Sequence, residues 1–199
     1  MKRRTLTACI GALILPAMAA CVPSGPSSGP LWIQPASEQA RTLTPTPPVD
    51  DSTPSDEIER RLLAAQNVER TRVGAPPLVW SETLEAEADD WARALIETGR
   101  FAHDPRPHGH GENLWTGWGG RAFTPEDMVG DWIRERADYR PGVFPDVSRT
   151  GDWVAVGHYT QLIWSGTTHV GCAIETRADQ SLLACRYAPP GNVDGRAPF

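Results

Sequence analysis

Eight prolines fall within the 33 residues from Val22 to Pro54, and they divide the chain into a part that cannot build a core and a part that can. Proline fixes φ and withholds a backbone donor, so this density favours an extended, solvated backbone over helix or sheet. Only Leu31, Trp32 and Ile33 cluster there as apolar residues, too little surface to offset the entropy of ordering the segment. What precedes it is no better suited to a core. Lys2, Arg3 and Arg4 lead an uncharged run from Thr5 to Ala20, shorter than the roughly 20 residues of a bilayer-spanning helix. A basic start, a short apolar middle and small residues at the end form an export signal. The folding unit is therefore expected at residues 55–199, behind a signal peptide at 1–20 and a Pro/Ser/Thr-rich tether at 21–54.

Two endings of the signal are open. Ala17-Met18-Ala19 suits cleavage after Ala19, whereas Met18-Ala19-Ala20-Cys21 is similar to a bacterial lipobox, which would make Cys21 the lipidated first residue. On that second path the membrane is met only through the lipid anchor at Cys21, and stable attachment needs more than one acyl chain. Loss of residues 1–20 removes three cations and no anion, moving the formal charge from −6 to −9. A chain this acidic is a poor non-specific binder of nucleic acid. Cys9 leaves with the signal and Cys21 lies at the processing site, so Cys172 and Cys185 remain. In an exported protein such a pair is expected to form a disulfide, which would stabilise the fold by roughly 3 kcal/mol. A metal held by the two thiolates is the alternative, although no C-x-x-C spacing supports it.

From residue 55 the pattern becomes helical. Ser55 can cap a helix that places Ile58, Leu62, Ala65 and Val68 or Glu69 along one side, ending near Val73-Gly74. Ser81 can cap a second, with a stripe at Leu84, Ala88, Trp91 and Leu95 and a stop at Gly99. Thr124-Pro125-Glu126-Asp127 starts a third, which sets Met128, Trp132 and Glu135 on one face. After residue 153 the signal shifts to strands, and His169–Ile174 and Leu182–Tyr187 read as a hairpin across which Cys172 and Cys185 could pair. Helices first and a hairpin last indicate an α+β fold.

Four ionisable residues stand near junctions between regular elements and loops: His103 in GRFAHDP, Glu112 in GENLW, Glu135 on the third helix and His158 at the head of GHYTQLIW. The segments around them are similar to a known family. GHYTQLIWSGT (157–167) and LLACRYAPPGNV (182–193) resemble signatures of the CAP superfamily, which comprises the cysteine-rich secretory, antigen-five and pathogenesis-related class-one proteins and is also called the SCP domain. NVERTRVGAPPLVW (67–80), GENLW (111–115) and WIRERADYR (132–140) fit it in the same order, so the resemblance covers roughly residues 57 to 193. It implies an α-β-α sandwich with a small antiparallel sheet between helical layers. It also implies a cleft tetrad of His103, Glu112, Glu135 and His158, in which His103 and His158 can bind zinc or another divalent metal. Neutral imidazole suits zinc, and carboxylates orient the rings. His108 and His110, just before Glu112, are additions to the pattern that could supply further ligands; solvated loop residues are the plainer reading.

The export signal indicates an extracytoplasmic protein, secreted or anchored to a bacterial envelope, and the resemblance implies a cleft that holds a metal and a small-molecule or lipid ligand. Trp115 and Trp118 could line such a groove, and packing in the core is the ordinary alternative. A metal-dependent hydrolase acting on peptides or envelope polymers is the second reading, through a metal-bound water beside a carboxylate. Against it, two protein ligands hold a metal less tightly than the three of a catalytic zinc site, and no serine or cysteine nucleophile stands near an evident base. The balance favours a binding module. A third reading makes the tetrad a polar clamp between helices and sheet. Ligand identity, partner and oligomeric state are not legible in the sequence.

Overall fold

The structure, a computed structural model, describes residues 49–106, 109–119 and 122–199. The signal peptide, Cys21, the tether up to residue 48 and His108 lie outside the described residues. Among the described residues, four α-helices and four strands follow in the order α1 (Glu57–Val73), β1 (Val79–Trp80), α2 (Glu82–Thr98), β2 (Gly111–Trp118), α3 (Pro125–Arg134), α4 (Gly157–Leu162), β3 (His169–Arg177) and β4 (Gln180–Ala188). Short 3-10 turns at Glu135–Ala137 and Trp153–Val156 join α3 to α4.

The helix ends are set locally, as their residue types require. Asp56 rather than Ser55 caps α1, in a reciprocal box with Glu59, and Gly74 closes it in the left-handed region. Ser81 caps α2 and Gly99 closes it, while Thr124 and Pro125 start α3. The side chains on α1 depart from the apolar stripe. Ile58 and Val68 are exposed, and Leu62 shares the buried face with Gln66, Glu69 and Arg70. Polar groups can occupy that face because each is hydrogen-bonded: Tyr187 donates to Gln66 Oε1 at 2.7 Å and Tyr159 donates to Glu69 Oε1 at 3.0 Å.

The sheet order is β1-β3-β4-β2. β2, β3 and β4 are antiparallel, but β1 runs parallel to β3, so the sheet is mixed rather than wholly antiparallel. Successive strand residues point to opposite faces. Leu114, Leu182 and Ala184 pack with Ala88, Ala92 and Leu95 of α2, whereas Trp115, Leu183, Cys185 and Tyr187 pack with Leu62 of α1, Met128 and Trp132 of α3 and Leu162 of α4. This is an α-β-α sandwich. Cys172 faces Cys185 in the β3–β4 register, and the two form the disulfide. Residues 157–162, expected to lead into the sheet, form α4 instead; the main hairpin strand begins only at His169.

Residues 49–54, assigned to the tether by composition, include three that engage the fold. Ser52 forms an isolated antiparallel bridge with Trp80 of β1, and Asp51 Oδ1 lies 2.7 Å from His169 Nε2. Asp50 accepts hydrogen bonds from the Ser81 hydroxyl (2.9 Å) and from the backbone N–H groups of Glu82 (3.1 Å) and Thr83 (3.0 Å) at the start of α2. Hydrogen bonds from Ser52 and Thr83 hold its carboxyl well below the usual carboxylate range. A depressed carboxylate stabilises the fold above its unfolded-state value, and that contribution is lost as pH falls toward the folded-state value. Asp50→Ala is therefore expected to cost about 1 kcal/mol in urea unfolding at neutral pH. The difference from wild type should shrink progressively below about pH 4. A difference that does not change with pH would mean that the carboxylate does not cap α2.

Candidate functional site

The sandwich sets the four expected residues into two His–Glu pairs. His103 follows α2 on a segment that Trp91 fixes by donating its indole N–H to Ala102 O at 3.2 Å. His103 Nδ1 bonds Glu112 Oε1, near the start of β2, and the backbone N–H of Asp104 donates to the same oxygen at 3.3 Å. Across the β2–β4 register from Glu112 lies Arg186, which is buried. Its guanidinium reaches Asp104 Oδ2 at 2.6 Å and Glu112 Oε2 at 3.1 Å. The second contact, made by Arg186 Nη1, is an ion pair without hydrogen-bond geometry, since Glu112 Oε2 has no hydrogen-bond partner among the described residues. Burial acts to raise the Asp104 carboxyl, but the hydrogen bonds from Arg106 and the charge of Arg186 outweigh it and leave the group below its ordinary value.

The second pair is built at the junction of α3 and α4. Glu135 is the C-cap of α3, and its Oε1 lies 2.6 Å from Nδ1 of His158 in the first turn of α4. Its Oε2 accepts the backbone N–H of Tyr159 at 3.0 Å. The His158 ring stacks on Trp132, with centroids 6.1 Å apart and planes 14° from parallel. The Asn113 amide donates to His158 O at 3.0 Å. Consecutive residues of β2, Glu112 and Asn113, thus hold one member of each pair.

A cavity of about 220 Å³ opens beside the second pair. Phe101, Trp115, Trp132, Asp131, Glu135 and His158 are among its walls, and His103 and Glu112 are not. Among the described residues no group of three or more His, Cys, Asp or Glu side chains is arranged to hold a metal. His110 points elsewhere than to either pair, with Nδ1 2.8 Å from Glu87 Oε2 on α2. Trp115 belongs to the cavity wall and the core together, whereas Trp118 is 58% exposed.

The family model described as CAP, the cysteine-rich secretory protein family, matches residues 63–187. The chain belongs to the CAP family. Among curated relatives of this CAP domain, a PR-1 type pathogenesis-related protein of Sambucus nigra is 31% identical over 152 residues, covering 76% of this chain and 84% of the relative. Pathogenesis-related protein 1C of Nicotiana tabacum is 34% identical over 140 residues, covering 69% and 78%. Among solved structures, NaASP2 with Zn2+ aligns with a TM-score of 0.63 at 21% identity, over 76% of this chain and 90% of that one. BmVAL-1 aligns at 0.59 and 22%, over 74% and 86%. At these identities the structural likeness is one of fold.

Sequence reasoning missed two residues of the site. Asp131 stands four residues before Glu135, hence on the same side of α3, and Trp115 donates its indole N–H to Asp131 Oδ2 at 2.7 Å. That spacing was a usable signal. Arg186 had none, because a lone arginine in a β-prone run reads as solvent-facing until its cross-strand partner is known.

Proposed function

We propose that this CAP domain is an exported, envelope-tethered binding module whose cleft takes a divalent metal and a small ligand. The observation that carries the reading is the orientation of the two imidazoles. Each gives Nδ1 to a glutamate, which leaves Nε2 as the donor available to a ligand. A carboxylate on one ring nitrogen is the usual support for a histidine that ligates a metal through the other. His103 and His158 would hold the metal, which supplies Lewis acidity and attracts anionic or polar ligand groups. Glu112 and Glu135 would keep the rings in the required tautomer. With two protein ligands, water completes the shell, and affinity is modest compared with a three-ligand site.

The tether and the export signal support a position outside the cytoplasm, with Cys21 as the attachment point. The cavity supports a small occupant. Its volume equals about seven water molecules at ~30 Å³ each, below the ~300–1,000 Å³ of drug-sized sites. Calorimetric titration of the mature protein with zinc tests the metal. Wild type should bind, and His103→Ala/His158→Ala should bind at least about tenfold more weakly, a loss of about 1.4 kcal/mol. Equal affinity in the two proteins would remove the imidazoles from any metal site.

A further inference from the structure

We infer that Glu69 of α1 is a positioning residue for the His158–Glu135 pair, because its carboxylate holds Tyr159 and Arg136, the residues that follow each member of the pair in the chain. The inference rests on the reading of that pair as half of a ligand site and names what keeps this half in register.

The pair needs outside support, because both pieces of backbone that carry it are short. Glu135 opens a 3-10 turn of three residues, none of them buried. His158 lies in the first turn of a six-residue helix whose N-cap, Val156, makes no side-chain hydrogen bond to it. So short a helix has little stability of its own. What caps α4 is Glu135 itself, whose Oε2 accepts the Tyr159 N–H at 3.0 Å. The carboxylate that orients His158 therefore also caps the helix on which His158 stands. Each half of the arrangement depends on the other, and neither is fixed by its own segment.

Glu69 supplies the fixed point. It is buried, and it belongs to α1, a helix of 17 residues. Its Oε1 accepts the Tyr159 hydroxyl at 3.0 Å, and Arg136 Nη1 reaches Oε1 at 3.3 Å and Oε2 at 3.2 Å. Arg72, on the same helix, donates to Glu69 Oε2 at 2.9 Å, to Oε1 at 2.7 Å and to the Tyr159 hydroxyl at 3.0 Å, which braces the carboxylate. Burial pushes the Glu69 carboxyl up, but hydrogen bonds from Arg72 and Tyr159 and the charges of both arginines outweigh it and leave the group below its ordinary value. The contacts close a ring. It runs from Glu69 to Tyr159, along the chain to His158, across to Glu135, along the chain to Arg136 and back to Glu69. Chain neighbours do not move independently, so a shift of Tyr159 or Arg136 is felt at the 2.6 Å contact between His158 and Glu135.

Stability alone does not account for this placement. Val68, beside Glu69, is 72% exposed, so α1 turns a carboxylate inward and leaves an aliphatic side chain in water. A buried ion pair often stabilises no more than well-packed apolar residues of the same volume would. What the carboxylate adds is direction, because charge-assisted hydrogen bonds fix a hydroxyl and a guanidinium in place. Attachment of α1 to α3 is provided for separately: Arg61 and Glu126 form an exposed pair near the starts of both helices that involves neither Tyr159 nor Arg136.

Amide hydrogen exchange followed by NMR on the mature protein reads the position directly, since the Tyr159 N–H is the donor to Glu135. Glu69→Gln should lower protection of that amide at least about tenfold relative to the amides of β4, which report on the core as a whole. Arg136→Gln should lower it about threefold, and should add nothing in the Glu69→Gln background. The Arg136 side chain is 47% exposed, so this variant decides the question even where Glu69→Gln does not fold. Arg61→Gln should leave the Tyr159 amide unchanged relative to β4. Equal loss at Tyr159 and β4, or the same selective loss in Arg61→Gln, overturns the inference, because Glu69 would then merely hold α1 to α3. Zinc titration of the same variants gives the second readout. The Kd should rise about three- to tenfold in Glu69→Gln and stay at the wild-type value in Arg61→Gln. Unchanged zinc affinity in a Glu69→Gln protein whose Tyr159 amide has lost protection also overturns it. A wild type that takes no zinc removes the metal reading alone, and the exchange result then upholds or overturns the positioning role by itself.

Discussion

Arg70→Ala is expected to cost about 5 kcal/mol, enough to leave a domain of this size largely unfolded. Arg70 is fully buried and faces no carboxylate among the described residues. Its guanidinium is instead spent on four backbone carbonyls: Pro76 O at 2.6 Å, and Leu162 O, Trp164 O and Thr167 O at 2.9 Å each. Burial pulls its pKa down to about 10, which still leaves it charged at neutral pH. The four acceptors belong to the turn before β1, to the last residue of α4 and to the loop between α4 and β3, so one side chain from α1 ties all three to the helix. Alanine would orphan those carbonyls at about 1–3 kcal/mol for each that stays dry, and would leave a cavity as well. Lysine should recover less than half, because a single ammonium cannot present the planar fork that reaches all four. Urea unfolding followed by circular dichroism measures this. A cost below about 2 kcal/mol for alanine would mean that water reaches the acceptors and that Arg70 is not the tie between these segments.

Local chemistry was legible in the sequence and long-range pairing was not. Ser81, Thr124-Pro125, Gly74 and Gly99 each act within one helical turn, so their residue types suffice to place helix ends. The cysteine pair was legible for a similar reason. Only Ala178 and Asp179 separate β3 from β4, and the tight turn fixes a register that brings Cys172 opposite Cys185. The two His–Glu pairs are nine and 23 residues apart in sequence, and no periodicity joins them; the sequence marked the four residues only as ionisable groups near element ends, and a single cleft tetrad was an implication of the family resemblance. Arg70, Gln66 and Arg186 escaped notice because their burial depends on partners 70 or more residues away or on another strand. The six residues of α4 are too few to show a helical period, and their apolar continuation reads as strand.

The second large effect is expected at Gly171, where alanine should cost about 3 kcal/mol, the upper end for overpacking. A Cβ there would lie 2.1 Å from Glu85 N, 2.6 Å from the Leu84 carbonyl carbon and 2.6 Å from Ser81 O. All three are backbone atoms of the first turn of α2, which cannot swing aside as a side chain would. That turn is held from two further directions: Ser81 N donates to Val170 O at 3.0 Å, and Asp50 accepts from Glu82 and Thr83. The added methyl must therefore lift α2 off β3 or push β3 out of the sheet. Lifting α2 moves the segment that carries His103, because Trp91 holds Ala102 and Glu87 meets His110. Gly171→Ala should accordingly unfold at lower urea. Gly130→Ala is the matched control. Its Cβ would meet only an Arg134 side-chain nitrogen at 3.9 Å, within α3, so relief of glycine entropy should stabilise by about 0.5–1 kcal/mol. Opposite signs at the two glycines follow only if α2 is seated directly on β3. A small, equal change at both would place the helix farther from the sheet and detach His103 from the packing that positions it.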